Sequence, residues 1–444
     1  MSDSRLFHER IAESRPAFEK MCGRTEIPLF RRARQHFPRE RVADVARAAR
    51  ETLNGPGCLD RVEPGMRIAV CVGSRGIADI PTLTAVTVAA LKEAGAVPFI
   101  VPAMGSHGGA TAEGQKDMLA GLGVTEAACG APVVSSMEVR RIGEVSLTIK
   151  ETPVTVPVYL DANALDADGI VLVQRIKPHT AFRGPYESGL CKMLAIGLGK
   201  HRGAMAYHRY GFGPFAEMVP LVAAEVLRKA PVLFGLSVVE NAFHEIAHVE
   251  AIPAAAILSR EPPLLRKAFA LMGKIFFDHL DVLIVEEIGK NFSGDGMDPN
   301  ITGTYPTPYA GKGLDVESRV VLRLSKETHG NSIGLGMADF STVRTFLQAE
   351  PIATYTNSMT SRVSGVAKIP LLMPDDEMAI KAAIYKSTSP TADHPRIVKI
   401  RNTEEVESVE ISEALWPEAE ARADVTLEGE PFALRFGADR MLLP

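Results

Sequence analysis

Short apolar runs alternate along the first half of this chain with stretches in which apolar positions recur every three or four residues. MRIAVCVG (66–73), PFIVPAM (98–104), DGIVLVQ (168–174) and VLFGLSVVEN (232–241) carry almost no charge and read as buried strands. PTLTAVTVAALKEAG (81–95), TAEGQKDMLAGLG (111–123) and FAEMVPLVAAEVLRKA (215–230) read as helices. Gly95 and Gly123 stop the first two, and Thr111 is placed to cap the second. Strand–helix alternation at this period predicts a parallel sheet covered by helices. VRRIGEVSLTIKETPVTVPVYLD (139–161) breaks the alternation and predicts a hairpin insertion.

The first sixty residues read as helical and peripheral. Their clearest helix is PRERVADVARAARETLNG (38–55), where Val42, Val45, Ala46, Ala49 and Leu53 share a face and Asn54-Gly55 ends it. EPPLLRKAFALMGKIFF (261–277) is amphipathic and makes a natural bridge. After it LDVLIVEEIGKN, ESRVVLRLS, STVRTFLQAE, DEMAIKAAIYKS and PRIVKIRN predict a second α/β unit. The expected architecture is α/β, with two domains (1–260 and 261–444), mainly parallel sheets, and the active site in the interdomain cleft.

Composition narrows the function. A chain of 444 residues can build two or three cores, and 46% hydrophobic with 23% charged residues is ordinary globular usage. A net charge of -5 argues against a nucleic-acid footprint. Cys22, Cys58, Cys71, Cys129 and Cys191 form no CxxC pair, so neither a disulfide framework nor a thiolate zinc ribbon is indicated. MSDSRLFHERIAESR lacks the apolar core of a secretory signal, and no apolar run reaches membrane-spanning length. A soluble cytoplasmic protein with neither nucleic acid nor membrane as partner is expected.

Candidate chemistry concentrates in RIKPHTAFRGPYESGLCKMLAIGLGKHRGAMAYHRY (175–210), which holds Lys177, Lys192 and Lys200 with His179, His201 and His208. It follows the strand DGIVLVQ, so His179 falls at a strand's carboxyl end, where open α/β sheets keep their ligand crevice. PFIVPAM leads in the same way into Gly105-Ser106-His107-Gly108-Gly109. Two strand-end histidines are candidates for an acid/base pair. The glycines let backbone N–H groups approach a ligand closely. A tight turn with an incidentally exposed His107 and a partly buried structural Lys192 are the plainer readings of the same residues. GLGKHRG lacks the earlier glycine and the Ser/Thr of a phosphate loop. HEIAH (244–248) matches the HExxH zinc pattern, with His244 and His248 as ligands and Glu245 as base. Pro253 limits any helix there, Ala251 breaks the extended motif, and Glu261 sits in Glu-Pro-Pro rather than on a helix.

The order of GSRG, PAMGSHGG, KPHT, SGLCK and YH resembles the nickel-pincer lactate racemase family, from about residue 65 to 345. The resemblance implies a nicotinate-derived mononucleotide held by Lys192 through a thioamide, with Ser188, Gly189 and Gly105 lining it. It implies nickel bound by two sulfurs and a ring carbon of that nucleotide and by His208, a soft square-planar set that suits nickel. His201 and Cys191 compete for that ligand position. His107 and His179 become the acid/base pair, and Arg75 the substrate-facing arginine that grips a carboxylate. The implied activity is racemisation or epimerisation of a small 2-hydroxy acid by proton-coupled hydride transfer, with cofactor-making enzymes as transient partners. Two departures stand out. FRGPYESGLC replaces a shorter Ser-Gly-Gly-Pro link before the lysine, and the family's Tyr-Gln-x-x-Lys substrate motif is absent. GKNFSGDGMDPNITG (289–303) stands in its place, offering Lys290, Asn291, Asp295, Asp298 and Asn300 toward substrate. The alternatives are a zinc hydrolase built on HEIAH and a non-catalytic binder of the nucleotide.

Overall fold

The computed structural model describes residues 6–74, 76–390 and 393–443. The chain divides into two compact units, Pro38–Met272 and a second made of Met1–Phe37 with Gly273–Pro444. Both are α/β.

In the unit Pro38–Met272 five strands run in the order Val97–Pro102, Arg67–Val72, Gly169–Arg175, Val232–Glu240, Ile246–Pro253. The first four are parallel and the last antiparallel. Ile68 to Val72 and Ile170 to Val173 are fully buried, so both faces of the sheet's centre are covered, as uncharged runs require. Ile68, Val70, Val72, Leu83, Leu91, Ile100, Val171, Val173, Phe234 and Leu236 pack into one core. The helices Ile80–Glu93, Ala112–Gly121 and Phe215–Lys229 fall where the periodicity places them. Thr111 Oγ1 accepts the Gly114 N–H at 3.1 Å, a cap of the kind that contributes about 1 kcal/mol. Val139–Ile149 and Thr152–Asp161 form the expected antiparallel hairpin.

The other unit holds an eight-stranded sheet in the order Leu371–Met373, Phe340–Thr342, Asp315–Leu324, His279–Ile288, Ile397–Ile400, Ser408–Ser412, Phe30–Gln35, Val425–Phe432. The first five are parallel and the rest pair antiparallel. Two expectations need correction. Residues 30–35 are not helical or peripheral: they form an interior strand with Phe30, Ala33 and Gln35 buried. Residues 1–37 therefore belong with the C-terminal unit, and the later division falls at Met272/Gly273 rather than 260/261. The helix Ile257–Leu271 stays with the first unit because Leu264, Leu265, Ala268 and Leu271 are buried there, against strand Val232–Glu240.

Candidate functional site

Parallel strands deliver their carboxyl ends to one edge of a sheet. Here strand Arg67–Val72 lies between Val97–Pro102 and Gly169–Arg175, so Ser74, His107 and His179 leave three adjacent strands at the same edge. Ser74 Oγ lies 2.5 Å from His107 Nδ1. A hydroxyl can donate or accept, so this contact permits either His107 tautomer. The His107 loop is held from below: Gln115 Nε2 donates to the carbonyls of Gly105 (3.0 Å) and His107 (3.2 Å).

His179 is held differently. Its Nδ1 accepts the Ala181 N–H at 3.0 Å, which puts the proton of the neutral ring on Nε2. Its own N–H donates to Glu187 Oε2 at 2.6 Å, and Arg183 Nη1 donates to its carbonyl at 2.6 Å. Glu187 is 1% exposed, and burial raises its carboxyl above the ordinary range despite the His179 N–H and the Arg183 guanidinium. Glu187 is a brace for the KPHT turn that motif reading alone did not single out.

The lysine segment is stitched to the same edge. Lys177 and Ser188 exchange backbone hydrogen bonds of 2.9 and 3.2 Å, so Ser188 starts the segment directly beside the end of strand Gly169–Arg175. A short helix Leu190–Lys192 follows, then a π-helical turn Met193–Gly197, then the helix Lys200–His208. Single π turns are frequent at functional sites. The Gly105 N–H donates to Gly197 O at 3.0 Å, tying the His107 loop to this turn. The approach demands glycine on both sides: Gly105 has φ +58°, and a Cβ on Gly197 would lie 2.6 Å from Ala103 O. Lys192 is half-buried between buried Cys191 and Met193.

Beneath the lysine turn lies Glu261, fully buried, with Oε2 accepting the Cys191 N–H at 2.9 Å. It sits within the helix Ile257–Leu271, correcting the expectation that Glu-Pro-Pro lies off a helix. Gly189 leaves it room: a Cβ there would be 2.5 Å from Glu261 Oε1. Burial pushes the Glu261 carboxyl up from 4.5 to about 7. A folded value above the unfolded one means the native state holds a proton that the unfolded chain has released. The stabilisation is complete below pH 4.5 and is lost as pH rises through about 7, in total on the order of 3 kcal/mol. Glu261→Gln keeps an acceptor for Cys191 and cannot titrate. Urea unfolding at pH 5 and pH 8 is therefore expected to show the variant gaining on the wild type at the higher pH; parallel pH curves would refute this.

Three phenylalanines join the histidines. The His179 ring lies 4.5 Å from Phe182 and 5.7 Å from Phe212, centroid to centroid. The His208 ring lies 5.2 Å from Phe212 and 5.0 Å from Phe215. His179 and His208 thus pack on one shared ring, Phe212, although twenty-eight intervening residues separate them in sequence. The FGPF run just after Tyr210 is the signal that could have revealed this cluster. Cys191 makes a poor rival to His208 as a soft ligand, because burial and the adjoining Glu261 hold its thiol well above its ordinary value.

The zinc reading fails on geometry. Residues 246–253 form a strand antiparallel to Val232–Glu240, with His248 paired to Val239, while His244 precedes it at φ +58°. The helical i, i+4 face that HExxH requires is absent. Glu245 instead accepts from Asn241 and Arg41, and His248 contacts Glu250. Among the described residues no three His, Cys, Asp or Glu side chains are arranged to hold a metal.

The expected substrate residues lie in the other unit, after strand His279–Ile288, where they bond within their loop and its neighbours. Lys290 Nζ donates to Gly294 O at 2.7 Å, and Asn291 Oδ1 accepts from Ser325 at 2.6 Å. Asp298 Oδ1 accepts from both the backbone and the side chain of Asn300 at 2.9 Å. Arg75 lies outside the described residues. No described helix is long and apolar enough to cross a membrane.

No family model and no curated protein matches this chain. Among solved structures it is similar to the lactate racemase apoprotein from Thermoanaerobacterium thermosaccharolyticum, at 15% identity and a TM-score of 0.42. That match covers 64% of this chain and 70% of the other. A likeness of this degree assigns no chemistry to the residues above.

Proposed function

We propose that this protein is a racemase or epimerase of a small 2-hydroxy acid that works with a nickel-pincer nucleotide tethered to Lys192. The observation that carries the reading is the convergence of the motifs. Four segments that resemble one family in sequence order fold to one sheet edge, with Ser74, His107 and His179 on adjacent strand ends and the Lys192–His208 segment hydrogen-bonded beside them.

The residues present fit the group. A half-buried Lys192, with His208 packed on Phe212 and Phe215 at the end of the segment that follows it, suits a ligand that brings its own soft donors. Lys192 would hold the nucleotide covalently and His208 would hold its nickel; Ser188, Gly189 and Gly105 border them. When bound, the group would supply a hydride acceptor for the substrate Cα.

The chain's own residues supply the rest. The strands leading to His107 and His179 are separated by one strand, so the strand axes stand ~10 Å apart. His107 takes the substrate hydroxyl proton on Nε2, and Ser74 Oγ accepts from the Nδ1–H of the imidazolium so formed. His179, at the other strand end, returns a proton to the oxygen of the planar intermediate from its imidazolium form, which requires the Ala181 N–H to release Nδ1 so that the ring can carry a second proton. Two bases are required because the two configurations present their hydroxyls to opposite sides. Phe182, Phe212 and Phe215, all buried, shield the His179 and His208 rings from water. Arg75 is the proposed partner of the substrate carboxylate.

The test is expression together with the cofactor-making enzymes and nickel, followed by intact-mass and metal analysis and a panel of chiral 2-hydroxy acids. An adduct mapped to Lys192, bound nickel and racemisation of one acid are expected, with no adduct in Lys192→Arg. Persistent absence of both adduct and nickel would overturn the reading. An adduct without turnover of any 2-hydroxy acid would replace it with a nucleotide binder.

A further inference from the structure

Lys200 resembles half of a phosphate loop in sequence and does something else in the fold. It is fully buried, which lysine almost never is unless paired. Its backbone adopts φ +51°, a left-handed conformation that favours glycine. Its ammonium donates to Pro102 O and to Gln115 Oε1 (2.9 Å) and pairs with Asp161 Oδ2 at 3.3 Å. Two hydrogen bonds and one ion pair thus offset the burial of its charge. Asp161 is itself fully buried and spends Oδ1 on the Ala164 N–H.

These contacts have a direction. Gln115 can present oxygen or nitrogen at either end of its amide, and both orientations fill the same space. An ammonium only donates, so Lys200 compels Gln115 to turn Oε1 toward it. The Gln115 Nε2 then faces the loop and donates to the carbonyls of Gly105 and His107. With the amide reversed, its oxygen would face two carbonyl oxygens and its NH2 would face an ammonium. Lys200 also opens the helix Lys200–His208 and lies eight residues beyond Lys192. The same residue therefore belongs to the segment that carries the proposed tether and nickel ligand, and sets the loop that carries His107.

We propose that Lys200 is a positioning residue for His107: its buried ammonium fixes the Gln115 amide and so holds the His107 loop against the lysine-bearing segment. The kinetic half of the test rests on the proposed function, and the structural half does not.

Lys200→Met alone strands the Asp161 carboxylate and is prone to misfold, so the informative protein is Lys200→Met/Asp161→Asn, which removes both charges. In the protein without cofactor, amide hydrogen exchange is expected to quicken over residues 103–109 while the strands 67–72 and 169–175 keep their protection. In the protein carrying the Lys192 adduct and nickel, kcat is expected to fall about 100-fold with KM nearly unchanged, the cost of a displaced reacting group. Gln115→Leu should reproduce both effects, and combining it with the double variant should add little, because all act through one contact. Unchanged exchange and kcat in the double variant would overturn the proposal. Uniformly faster exchange across the unit would also overturn it, marking Lys200 as a support of general stability. Absence of adduct in the wild type would overturn the proposed function, and the exchange measurement would still decide the role of Lys200.

Discussion

His107→Ala and His179→Ala are each expected to lower racemisation by about 10²- to 10⁴-fold, the usual contribution of a positioned acid or base, while adduct and nickel remain. The two histidines leave strands on either side of Arg67–Val72, and the proposed mechanism has them act on opposite sides of the substrate. The losses should differ in kind. Ser74 can follow either tautomer of His107, whereas the Ala181 N–H holds His179 Nδ1 as an acceptor. Ser74→Ala should accordingly weaken turnover and alter its pH profile without the full loss seen in His107→Ala. Progress curves started from each enantiomer, with intact mass recorded beside them, make the comparison. Full activity in either alanine variant would remove that histidine from the mechanism.

His208→Ala is expected to lose nickel while Lys192 stays modified, and His201→Ala to retain both. His208 packs against Phe212 and Phe215, and Phe212 also touches His179, so the His208 ring belongs to the same cluster as one of the acid/base candidates. His201 adjoins the buried Lys200 at the far end of the same helix, two turns from His208. Cys191 is disfavoured by the protonated state that burial and Glu261 impose. Metal content per adduct, measured on all three variants with Cys191→Ala included, separates these candidates. If His201→Ala is the variant that loses metal, the assignment of this segment is wrong.

The parts of this molecule that could be read along the chain are those governed by neighbours in sequence. Uncharged runs such as IAVCV and GIVLV become strands buried on both faces because no exposed setting suits them. Thr111 caps its helix through a bond three residues long. The arrival of His107 and His179 at strand ends follows from where those runs stop. HEIAH shows the limit of such reading: its spacing is helical, yet His244 turns at φ +58° and pairing with strand Val232–Glu240 makes residues 246–248 extended.

What could not be read depends on partners remote in sequence. Phe30–Gln35 carries Arg31, Arg32 and Arg34 and looks like a surface segment. It is an interior strand because Phe30 finds Ser412 on one side and Phe432 on the other, and because Gln35 satisfies its amide on Lys274 O, Val406 O and the Phe276 N–H. Lys200 reads as a solvated charge beside glycine, and burial becomes tolerable only where Pro102 and Gln115 accept its hydrogen bonds and Asp161 pairs its charge. Glu261 reads as a loop acid and is a buried support of the Lys192 turn. Periodicity and caps are local energies, so they are written in the order of residues. Burial of a charge and pairing of a strand are settled by groups as remote as Phe432 is from Phe30, so chain folding had to bring those groups together first.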